Sequence, residues 1–464
     1  MTIIDTSFGQ LAVSGRRGAA WRGWLSNSTF MLCIAGIALP NALSLVALVG
    51  GIGAPPRTSA IIAYATLAVV ARITAPLVIV ILYLAVAAYD AISTLALLFN
   101  LAPSEIGLAL HLSSELKLFQ SPFYLAMAAS LIVLLGANIA FLTLKRDALR
   151  RGNASLLMGV AALFAMTDFV ANTSPHYEFG TLFGAGKPVD SAVDTSGFRT
   201  VLSSSKPQRV LLVVVEALGH FADPQKQALL LQSLRAPALL EHYKVSSGTT
   251  TYYGSTTAAE MRELCDTREP YQALIDGKAI TCLPAQMAAR GYRTVGIHNF
   301  TGAFFDREQW YPKLGFQERI FGEALAGRTQ RRCGGPFRGV CDQDVIPVIA
   351  KTLQDARQPT FVYWMTLSTH VPIAPHEGTP RFDCGKNRGA IGQVDVCYMT
   401  EMWFDLLQSL ARLTADIPPT EILMVGDHAP PLWSKAGRQL FTPGKVTWVR
   451  LTPRPSAVVA APNH

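Results

Sequence analysis

The stretch Arg209–Gly219 reads RVLLVVVEALG, an unbroken run of valine and leucine that ends at an acidic side chain, Glu216. Three further runs in the C-terminal half have the same apolar character: Tyr292–Ile297, Thr360–Met365 and Glu421–Val425. Such continuous runs are typical of buried parallel strands. Helical patterns lie between them, for example in Leu283–Arg290 and Asp344–Asp355. The alternation predicts an α/β domain with a doubly wound, mostly parallel sheet.

Chemically reactive side chains follow these four runs. Glu216 ends the first run, His298 ends the second, His370 follows the third, and Asp427 with His428 closes the fourth. One acidic residue after a strand would be an ordinary strand-end cap, whereas polar residues after four different strands indicate a shared site. Ligands of open α/β sheets bind outside the carboxyl ends of the strands. We therefore expect these side chains to form one site.

The N-terminal part of the chain has the composition of a membrane protein. Hydrophobic residues make up 50% and charged residues 16% of the 464 residues, whereas soluble domains carry about 25% charged residues. A helix needs about 20 apolar residues to cross a bilayer. The apolar runs give five predicted spans, the second of them short: 29–51, 57–71, 76–100, 122–144 and 154–172. The sequence thus predicts an N-terminal five-helix transmembrane bundle followed by the α/β domain.

Positive charges near the span ends predict the orientation of this bundle. They lie before the first span, between the second and third, and between the fourth and fifth: Arg16, Arg17, Arg22, Arg72, Lys145, Arg146, Arg150 and Arg151. With five spans, all three groups share the cytoplasmic side. The chain is then a multi-pass protein of the plasma (inner) membrane, and its catalytic domain faces the periplasm or the cell exterior. The N-terminus lacks the features of a typical cleavable signal peptide.

Four segments follow from this topology. They are a cytoplasmic N-terminus over 1–28, a transmembrane domain over 29–172, a linker along the membrane face over 173–204, and an extracytoplasmic catalytic domain over 205–464. The linker has aromatic residues and prolines instead of a flexible Gly/Ser composition, at Pro175, Tyr177, Phe179, Phe183 and Pro188. The net charge of +8 comes with no long Lys/Arg run, so no nucleic-acid partner is expected.

Asp90 and Asp168 interrupt apolar runs of the predicted bundle. Ionisable residues at such positions either mark a substrate path or are paired inside the bundle or near its interface. The sequence leaves both interpretations open, a path for a lipid substrate being one of them.

Six of the seven cysteines lie in the C-terminal half. An even set in an outward-facing domain predicts disulfides, and six cysteines permit 15 pairings. The local pairs Cys333–Cys341 and Cys384–Cys397 are our first choice, which leaves Cys265–Cys282 as the third. A zinc cluster is the competing interpretation, but the sequence contains no Cys-x-x-Cys.

A Gly-Ser-Thr segment lies forty residues after the first strand, in YYGSTTAAEMREL at 252–264. Together with VVVEALG, HNFTGAFFDREQWYPKLGF at 298–316, STH at 368–370 and GDH at 426–428, it resembles a known family. The likeness is to the extracellular domains of membrane-bound lipoteichoic acid synthases, phosphoglycerol transferases and phosphoethanolamine transferases. These belong to the alkaline phosphatase and sulfatase superfamily. The resemblance covers roughly residues 205–435, and the predicted spans match in architecture only.

The resemblance assigns roles residue by residue. Thr256 matches the nucleophile and contributes to the metal site, whose other ligands match Glu216, Asp427 and His428. The substrate phosphate and head group would be held by three further side chains, His298, Arg307 and His370. We expect these three to neutralise charge on the phosphate oxygens. Hard oxygen ligands with one imidazole suit Mn²⁺ or Zn²⁺.

A divalent metal also explains why a threonine serves as the nucleophile. Its hydroxyl is a weak nucleophile at neutral pH, and metal coordination activates it. A helix that begins near Thr257 would aim N–H groups at the phosphate. Neighbouring hydroxyls stay open as alternatives: Thr250, Thr251, Ser255 and Thr257. His176, His220 and His242 match nothing in the family and are expected to be structural or exposed.

The predicted function is transfer of a phospho-alcohol head group, phosphoglycerol or phosphoethanolamine, through a phospho-threonine intermediate. The expected partners are the bilayer, a membrane phospholipid donor and an extracytoplasmic glycan or lipid acceptor. His298 with Arg307 favours phosphoglycerol. Phe305 stands where the lipoteichoic acid synthases have tryptophan, and only 36 residues follow His428, so the head group and the acceptor surface can differ.

The alternatives are a phosphodiesterase or phosphatase, a sulfuric ester hydrolase, and an inactive membrane scaffold protein. Sulfatases use a Cys or Ser in a C-x-P-x-R frame. Cys282-Leu283-Pro284-Ala285-Gln286 lacks the arginine of that frame and lies 26 residues beyond Thr256. All expected metal ligands are present, which argues against a scaffold.

Overall fold

The computed structural model describes residues 27–49, 53, 55–99, 122–173, 189–327, 329, 331–334, 337–373, 377–385 and 389–455. Residue contacts divide the chain into a helical unit and a unit that contains the sheet. The predicted N-terminal segment up to residue 26 and residues 174–188 of the predicted linker lie outside the described residues.

The described part of the helical unit contains seven α-helices. Their bounds are α1 Ser28–Cys33, α2 Ala42–Val49, α3 Thr58–Val70, α4 Pro76–Phe99, α5 Pro122–Leu144, α6 Arg146–Arg150 and α7 Ala154–Asn172. Proline occupies the first position of α4 and of α5, where its missing N–H costs nothing. The Asn153 side chain caps α7 by accepting from Leu156 N at 3.0 Å.

Three helices of the described residues are long and apolar enough to cross a membrane: Pro76–Leu98, Leu125–Leu144 and Ala154–Asn172. Ser28–Ala38 and Thr58–Val70 are apolar but shorter. The first predicted span is interrupted, because a π-helical stretch at Ile34–Ala38 and a turn at Pro40 separate α1 from α2. The three long helices agree with predicted spans, and the count of five spans remains a prediction.

One arginine binds both acids that interrupt the apolar runs. Arg57 Nε donates to Asp90 Oδ1 at 2.8 Å, and the Arg57 backbone N donates to Asp168 Oδ2 at 2.8 Å. Arg57 and Asp90 are nearly buried, with 10% and 11% of their side chains exposed. Thr58 Oγ1 also donates to Asp168 at 3.2 Å. Both acids are therefore paired inside the helical unit, which is one of the two interpretations left open by the sequence.

The opposite ends of these helices carry basic residues. Arg72 donates to the Arg150 carbonyl, and Arg150 Nε donates to the Arg72 carbonyl at 2.8 Å. The Asn153 backbone N donates to Thr29 Oγ1 at 3.0 Å. The turn before α4, the segment between α5 and α7 and the start of α1 thus meet at one end of the helical unit.

The second unit is built on a mixed sheet. Its described strands are β1 Arg209–Val215, β2 Gly219–Phe221, β3 Tyr243–Thr251, β4 Arg293–His298, β5 Glu318–Ile320, β8 Thr360–Met365, β9 Glu421–Gly426 and β10 Phe441–Pro453. A separate two-stranded sheet pairs β6 Arg332–Cys333 with β7 Gly339–Val340. The larger sheet has the order β2-β10-β9-β1-β8-β4-β5, and β3 also pairs with β10.

The four apolar runs of the sequence are four neighbouring parallel strands in this sheet. β1 lies between β8 and β9 and is parallel to both, with Val210 opposite Phe361 and Glu421. β4 is parallel to β8. Every residue of β8 and β9 is buried, which explains why both runs are apolar apart from their first residues, Thr360 and Glu421. The carboxyl ends of the four strands consequently lie along one edge.

The remaining strands make the sheet mixed. β10 is antiparallel to β9, β2 and β3, and its pairing with β3 extends from Lys445 opposite Thr251 to Pro453 opposite Tyr243. The sequence analysis identifies neither β3 nor β10, because YKVSSGTTT and FTPGKVTWVRLTP have no continuous apolar run. The doubly wound arrangement remains a prediction.

The described α-helices of the sheet unit either precede β1 or lie between two strands in the chain. They are α8 Ala192–Thr195, α9 Phe198–Ser204, α10 Pro224–Leu230, α11 Pro237–His242, α12 Thr256–Cys265, α13 Gln272–Ile275, α14 Leu283–Ala289, α15 Arg307–Leu314, α16 Gly322–Ala326, α17 Asp342–Gln354, α18 Val394–Asp416 and α19 Lys435–Arg438. The two helices expected from the sequence are α14 and α17.

The sheet unit begins earlier than the sequence analysis places it. α8 and α9 fall within 173–204, the stretch assigned to a linker, yet Phe198 is 0% and Leu202 is 1% exposed in the core of this unit. The Glu263 side chain accepts from the backbone N–H groups of Ala192 and Val193. The predicted boundary at residue 205 is therefore too late. The apolar side chains of α9 are buried in the core of the sheet unit, so this unit includes residues before 205.

All three predicted disulfides are present, and the pairing is the one chosen first. Cys265 bonds to Cys282, Cys333 to Cys341 and Cys384 to Cys397. Cys33 of α1 is free. The zinc-cluster alternative for these six cysteines is thereby excluded.

Candidate active site

The end of β1, the end of β9 and the start of α12 bring four side chains together. Thr256 is the first residue of α12, and its Oγ1 lies 3.0 Å from Asp427 Oδ2 and 3.4 Å from Glu216 Oε2. His428 Nε2 lies 3.5 Å from the same hydroxyl. One oxygen or nitrogen atom from each of Glu216, Asp427 and His428 lies within 4.8 Å of the others. The sequence predicts these four residues as a group, and the structure places them in contact.

The backbone fixes the direction of the Asp427 carboxylate. Its Oδ1 accepts hydrogen bonds from Ala217 N and His428 N, both at 2.7 Å. Its Oδ2 is therefore the oxygen that faces Thr256. Ala217 has a positive φ of 56°, an uncommon conformation for a residue with a side chain, directly after Glu216. Such local strain is often found at functional sites.

The donor set fits a divalent metal ion. Burial, and after it the negative charge of Asp427, raise the pKa of Glu216 well above its usual range. Two carboxylates this close repel each other, and a cation between them would relieve the repulsion. Two carboxylates, one imidazole and one hydroxyl form an oxygen-rich set of the type that Mn²⁺ and Zn²⁺ accept. Glu216, Asp427, His428 and Thr256 are the residues that would hold the ion.

The tautomer of His428 agrees with a metal-ligand role. Its Nδ1 lies 3.0 Å from the Ala429 carbonyl oxygen, which can only accept a hydrogen bond. Nδ1 therefore carries the hydrogen, and Nε2 of the neutral ring keeps its lone pair. This is the usual arrangement of a histidine ligand, whose second ring nitrogen donates to a carbonyl or carboxylate.

His298 and His370 have the same arrangement as His428. His298 Nδ1 donates to the Met365 carbonyl at 3.2 Å, and His370 Nδ1 donates to the Val371 carbonyl at 2.8 Å. His298 Nε2 is buried and has no hydrogen-bond partner among the described residues. An unpaired buried nitrogen is costly, so His298 has an atom ready for a ligand.

Burial disfavours the protonated form of both of these histidines. Burial, followed by the charge of Arg307, lowers the pKa of His298 well below its usual range. Burial lowers the pKa of His370 to about 4, and His428 adds to the shift. Of the three side chains predicted to hold the phosphate, Arg307 therefore has the permanent positive charge.

Arg307 is more deeply buried than a freely available phosphate-binding arginine. It is 1% exposed, and its Nη2 and Nε donate to Glu260 Oε2 at 2.8 and 3.2 Å. Its Nη1 donates to the Phe304 carbonyl at 3.1 Å. Its charge nevertheless influences the pKa of both Glu216 and His298, so it lies close to the acidic cluster.

An aromatic cluster borders the site beside His370. The Phe337 ring lies 4.0 Å from the His370 ring, and Phe304 contacts both Phe337 and Phe305. Phe305 lies 5.7 Å from the Arg307 guanidinium carbon. Ring contacts through Phe305, Phe304 and Phe337 thus connect Arg307 with His370.

The other hydroxyls near Thr256 have different surroundings. Thr250 Oγ1 donates to the Asp190 carbonyl, and the Thr251 backbone N donates to the Asp190 carboxylate at 2.9 Å. Thr257 is 3% exposed. Ser255 Oγ is buried and has no hydrogen-bond partner among the described residues. Thr256 is thus the hydroxyl in contact with the acidic cluster.

The near-match to the sulfatase frame has a structural role. Cys282 is bonded to Cys265, and it precedes α14, so its sulfur is not a free nucleophile. Of the histidines that match no motif, His220 contacts Thr447 Oγ1 at 3.1 Å, and His242 is exposed at the end of α11. His176 lies outside the described residues.

Sequence reasoning misses several buried charged residues that support the site. Arg262 donates to the carbonyls of Gly426 and Asp427 at 2.9 and 3.1 Å, and so binds the end of β9 to α12. Asp342 accepts from the backbone N–H groups of Leu367 and Ser368 at 3.0 and 3.2 Å, just before His370. The fully buried Glu260 pairs with Arg307. The sequence contains one indication of Glu260 and Arg262: the stretch AAEMREL places charged residues on a predicted helix directly after the nucleophile segment.

Comparison with known proteins agrees with this geometry. Residues 240–452 match the family model described as Sulfatase. No curated protein sequence matches the chain.

Solved structures of 14% identity include three bacterial proteins. The lipoteichoic acid synthase LtaP from Listeria monocytogenes has a TM-score of 0.41, over 53% of this chain and 65% of that chain. The Streptococcus pyogenes phosphoglycerol transferase GacH, in complex with sn-glycerol-1-phosphate, has a TM-score of 0.36 over 57% and 78%. The C-terminal periplasmic domain of EcEptC from Escherichia coli has a TM-score of 0.36 over 53% and 72%.

These structural likenesses are remote, and the chain spans just under two thirds of LtaP, 65% of its length. The sulfatase match covers both the Gly-Ser-Thr segment and the Asp427–His428 pair. Residues 240–452, slightly less than half of the chain, thus match the Sulfatase family model.

Proposed function

We propose that the protein is a metal-dependent transferase that moves a phospho-alcohol head group from a membrane phospholipid to an extracytoplasmic glycan or lipid. The observation that carries the proposal is the contact of Thr256 Oγ1 with Glu216, Asp427 and His428 at the first turn of a helix. A hydroxyl in this position is suited to covalent catalysis on a phosphate ester.

The first half-reaction forms a phospho-threonine. Thr256 Oγ1 attacks the donor phosphorus, a new O–P bond forms, and the P–O bond to diacylglycerol breaks. The Thr256 hydroxyl proton, which is donated to Asp427 Oδ2 in the hydrogen bond, is released as the O–P bond forms. The departing diacylglycerol oxygen takes up one proton. Because Thr256 is the first residue of α12, unpaired N–H groups of the first helical turn would favour the phosphate charge. A divalent cation, when bound by the four residues, would lower the pKa of the threonine hydroxyl.

The second half-reaction restores the enzyme. A hydroxyl of the acceptor attacks the phosphorus, a new O–P bond to the acceptor forms, and the Thr256 O–P bond breaks. The acceptor hydroxyl releases one proton and the threonine oxygen takes one up. His298 and His370 keep Nε2 lone pairs, so each can accept a hydrogen bond from a hydroxyl of the head group or acceptor. Arg307 supplies the positive charge near the phosphate oxygens. We propose phosphoglycerol as the first head group to test and phosphoethanolamine as the second.

We further propose that the sheet unit faces away from the cytoplasm. Arg72 and Arg150 meet at one end of the helical unit, and basic residues favour the cytoplasmic side. α7 starts at this end and runs 19 residues away from it, toward the sheet unit in the chain. Three disulfides support an oxidising compartment. The proposed location is therefore the plasma (inner) membrane, with five spans in 29–172 and catalysis on the periplasmic or outer side.

The helical unit distinguishes this proposal from a hydrolase of the same superfamily. Three helices of the described residues are long enough to cross a membrane and would tether the catalytic unit to the bilayer that contains the donor, and a confined donor raises the effective concentration. A phosphodiesterase or phosphatase acting on soluble esters has no need of such an arrangement. A sulfuric ester hydrolase is disfavoured because Cys282 is in a disulfide.

The test uses full-length protein in vesicles that contain phosphatidylglycerol or phosphatidylethanolamine with a labelled head group. Mn²⁺ or Zn²⁺ is added, and an acceptor extract from the cell envelope is supplied. The proposal predicts diacylglycerol release together with transfer of the label to the acceptor. Release of the label as free head group at the same rate with and without acceptor would identify a hydrolase instead. Cleavage of an aryl sulfate in preference to both phospholipids would identify a sulfatase.

A further inference from the structure

Glu260 is a fully buried carboxylate one helical turn after Thr256. It is 0% exposed, and both of its oxygens are occupied. Oε2 accepts from Arg307 Nη2 and Nε, and Oε1 accepts from the hydroxyls of Tyr311 and Tyr363, the latter at 3.1 Å. Residues four apart on a helix lie on the same face. Glu260 therefore connects the helix that begins at Thr256 to α15 and β8.

The hydrogen bonds of Arg307 leave its guanidinium little freedom. Nε and Nη2 donate to Glu260, and Nη1 donates to the Phe304 carbonyl. The residues before it, Phe305 and Asp306, have positive φ values of 55° and 54°. Two successive non-glycine residues in this conformation are strained, and this turn directs Arg307 into the interior.

The position of this charge matters because two contacts relate Arg307 to the site. It binds Glu260, four residues after Thr256, and Phe304, whose carbonyl it also binds, contacts the Phe337 ring that lies 4.0 Å from His370. Without Glu260, the guanidinium would lose the carboxylate that fixes its Nε and Nη2 atoms.

We propose that Glu260 is a positioning residue that holds Arg307 in a fixed place relative to Thr256, and that it acts on the reaction only through Arg307. This inference rests on the proposed function for its substrate. Glu260 itself contacts neither Thr256 nor the metal-binding atoms in the described hydrogen bonds, and its partners lie on α15 and β8.

The chain offers a matched control for a change at Glu260. Glu421 and Arg450 form a second buried pair, with 2% and 8% of the residues exposed, and Arg450 Nε donates to Glu421 Oε1 at 2.5 Å. Thr452 adds a hydroxyl donor at 3.0 Å, as the tyrosines do for Glu260. Glu421 begins β9, at the end of the strand away from Asp427. Glu421→Gln therefore removes a comparable buried charge without touching the site.

The test is a double-mutant cycle on the full-length protein in phosphatidylglycerol vesicles, with kcat and KM measured for diacylglycerol release. Glu260→Gln, Arg307→Gln, the double variant and Glu421→Gln are compared below the melting temperature of the least stable one. We expect Glu260→Gln to lower kcat about 100-fold, the size of loss that misplacement of a catalytic group can cause. KM should change less than about threefold, as expected for a contact made in the transition state. Glu421→Gln should stay within about twofold of the wild type, as expected for a remote substitution.

The double variant separates positioning from simple destabilisation. Because Glu260 acts through Arg307, the double variant should be no slower than Arg307→Gln alone, although two buried side chains have changed. Multiplied losses in the double variant would overturn the proposal, and so would equal losses in Glu260→Gln and Glu421→Gln.

Tyr363→Phe is the milder second variant if Glu260→Gln does not fold. It removes one hydrogen bond to Glu260 and leaves both charges in place. In the wild-type background Tyr363→Phe should lower kcat about threefold or more, a loss in the range expected for one hydrogen bond. In the Arg307→Gln background it should leave kcat unchanged. An unchanged kcat in Tyr363→Phe would count against the proposal.

The same panel is measured on the soluble diester bis(p-nitrophenyl) phosphate. A wild type that cleaves this diester but does not release diacylglycerol would contradict the proposed function. The cycle between Glu260 and Arg307 would then still be decided on the diester, with the same expected and contrary results.

Discussion

The Thr256 hydroxyl lies 3.0 Å from Asp427 Oδ2, although 171 residues separate the two in the chain. The other Asp427 oxygen accepts two backbone N–H groups, so the carboxylate cannot turn away from the threonine. This relationship combines a nucleophile at the start of α12 with a metal-ligand oxygen at the end of β9. The predictions below test its consequences.

Glu216→Gln is expected to have opposite effects on stability with and without a metal ion. In EDTA and mildly alkaline buffer the variant should melt at a higher temperature than the wild type, since the folded state disfavours the ionised Glu216 whose pKa is raised. With Mn²⁺ or Zn²⁺ it should melt at a lower temperature, because one ligand of the ion is lost. Thermal melting of the detergent-solubilised protein measures both.

Glu421→Gln serves as the control for this reversal, since its carboxylate lies away from the acidic cluster. Its melting temperature should shift by the same amount in EDTA and in metal. If the melting temperature of Glu216→Gln were above that of the wild type in both buffers, or below it in both, Glu216 would not be a ligand of the metal ion.

His370 is expected to make stability depend on pH. Its pKa falls from 6.5 to about 4 on folding, because the ring is buried. The unfolded chain thus binds the proton more readily than the folded protein. The contribution of neutral His370 to the free energy of unfolding is therefore fully present above pH 6.5 and is lost as the pH falls toward the folded-state pKa of about 4. The contribution is at most about 3 kcal/mol.

Melting temperatures of the wild type, His370→Gln and His242→Gln across this pH range check the prediction. His370→Gln should have a flatter profile than the wild type. His242 is exposed at the end of α11, so His242→Gln should follow the wild type. Parallel profiles for all three proteins would show that His370 is not a buried neutral ring.

The Cys333–Cys341 disulfide is expected to matter for catalysis, and the Cys384–Cys397 disulfide for stability alone. The first closes the loop that places Phe337 4.0 Å from His370. Replacing either pair by serine should cost about 3 kcal/mol of stability from loop entropy. The Cys333/Cys341 variant should in addition lower kcat/KM for diacylglycerol release.

Kinetics measured at a temperature where both serine variants stay folded separate the two effects. The Cys384/Cys397 variant is the matched control, and its kcat/KM should equal that of the wild type. Equal losses in both variants would mean that the 333–341 loop has no specific role at the site.

A reporter enzyme fused after His464 should behave as an exported protein. The basic residues that meet at Arg72 and Arg150 should be cytoplasmic, and three disulfides require an oxidising compartment. Protease protection in spheroplasts gives an independent measurement. A cytoplasmic reporter, or six free thiols in protein purified without reductant, would contradict the proposed topology.

Much of the sheet and of the metal-binding group could be predicted from the sequence for a physical reason. Parallel strands buried on both faces leave a continuous apolar run, and Glu216, His298 and Asp427 stand at the ends of such runs. β3 leaves no such trace, because its side chains are mostly small and polar and its partner β10 lies far away in the chain.

The supporting residues could not be predicted in the same way. Glu260 pairs with Arg307 across 47 residues and with Tyr363 across 103 residues. Asp342 reaches the N–H group of Leu367 across 25 residues. A charged residue on a helix is usually solvated, and only the three-dimensional structure places these partners in the interior.

The start of the sheet unit could not be predicted from the sequence either. Residues 192–204 look like a linker in the sequence because α8 and α9 are short, with 4 and 7 residues. Burial of Phe198 in the core assigns them to the sheet unit.

The most direct test of the account is to trap the covalent intermediate. Full-length protein is mixed with phosphatidylglycerol carrying an isotopically labelled head group, without acceptor, quenched in acid, digested and analysed by mass spectrometry. The account predicts labelled phosphoglycerol on the peptide that contains Thr256, and no adduct in Thr256→Ala, which should keep its fold and bind metal. An adduct on Ser255 or Thr257, or wild-type transfer by Thr256→Ala, would contradict it.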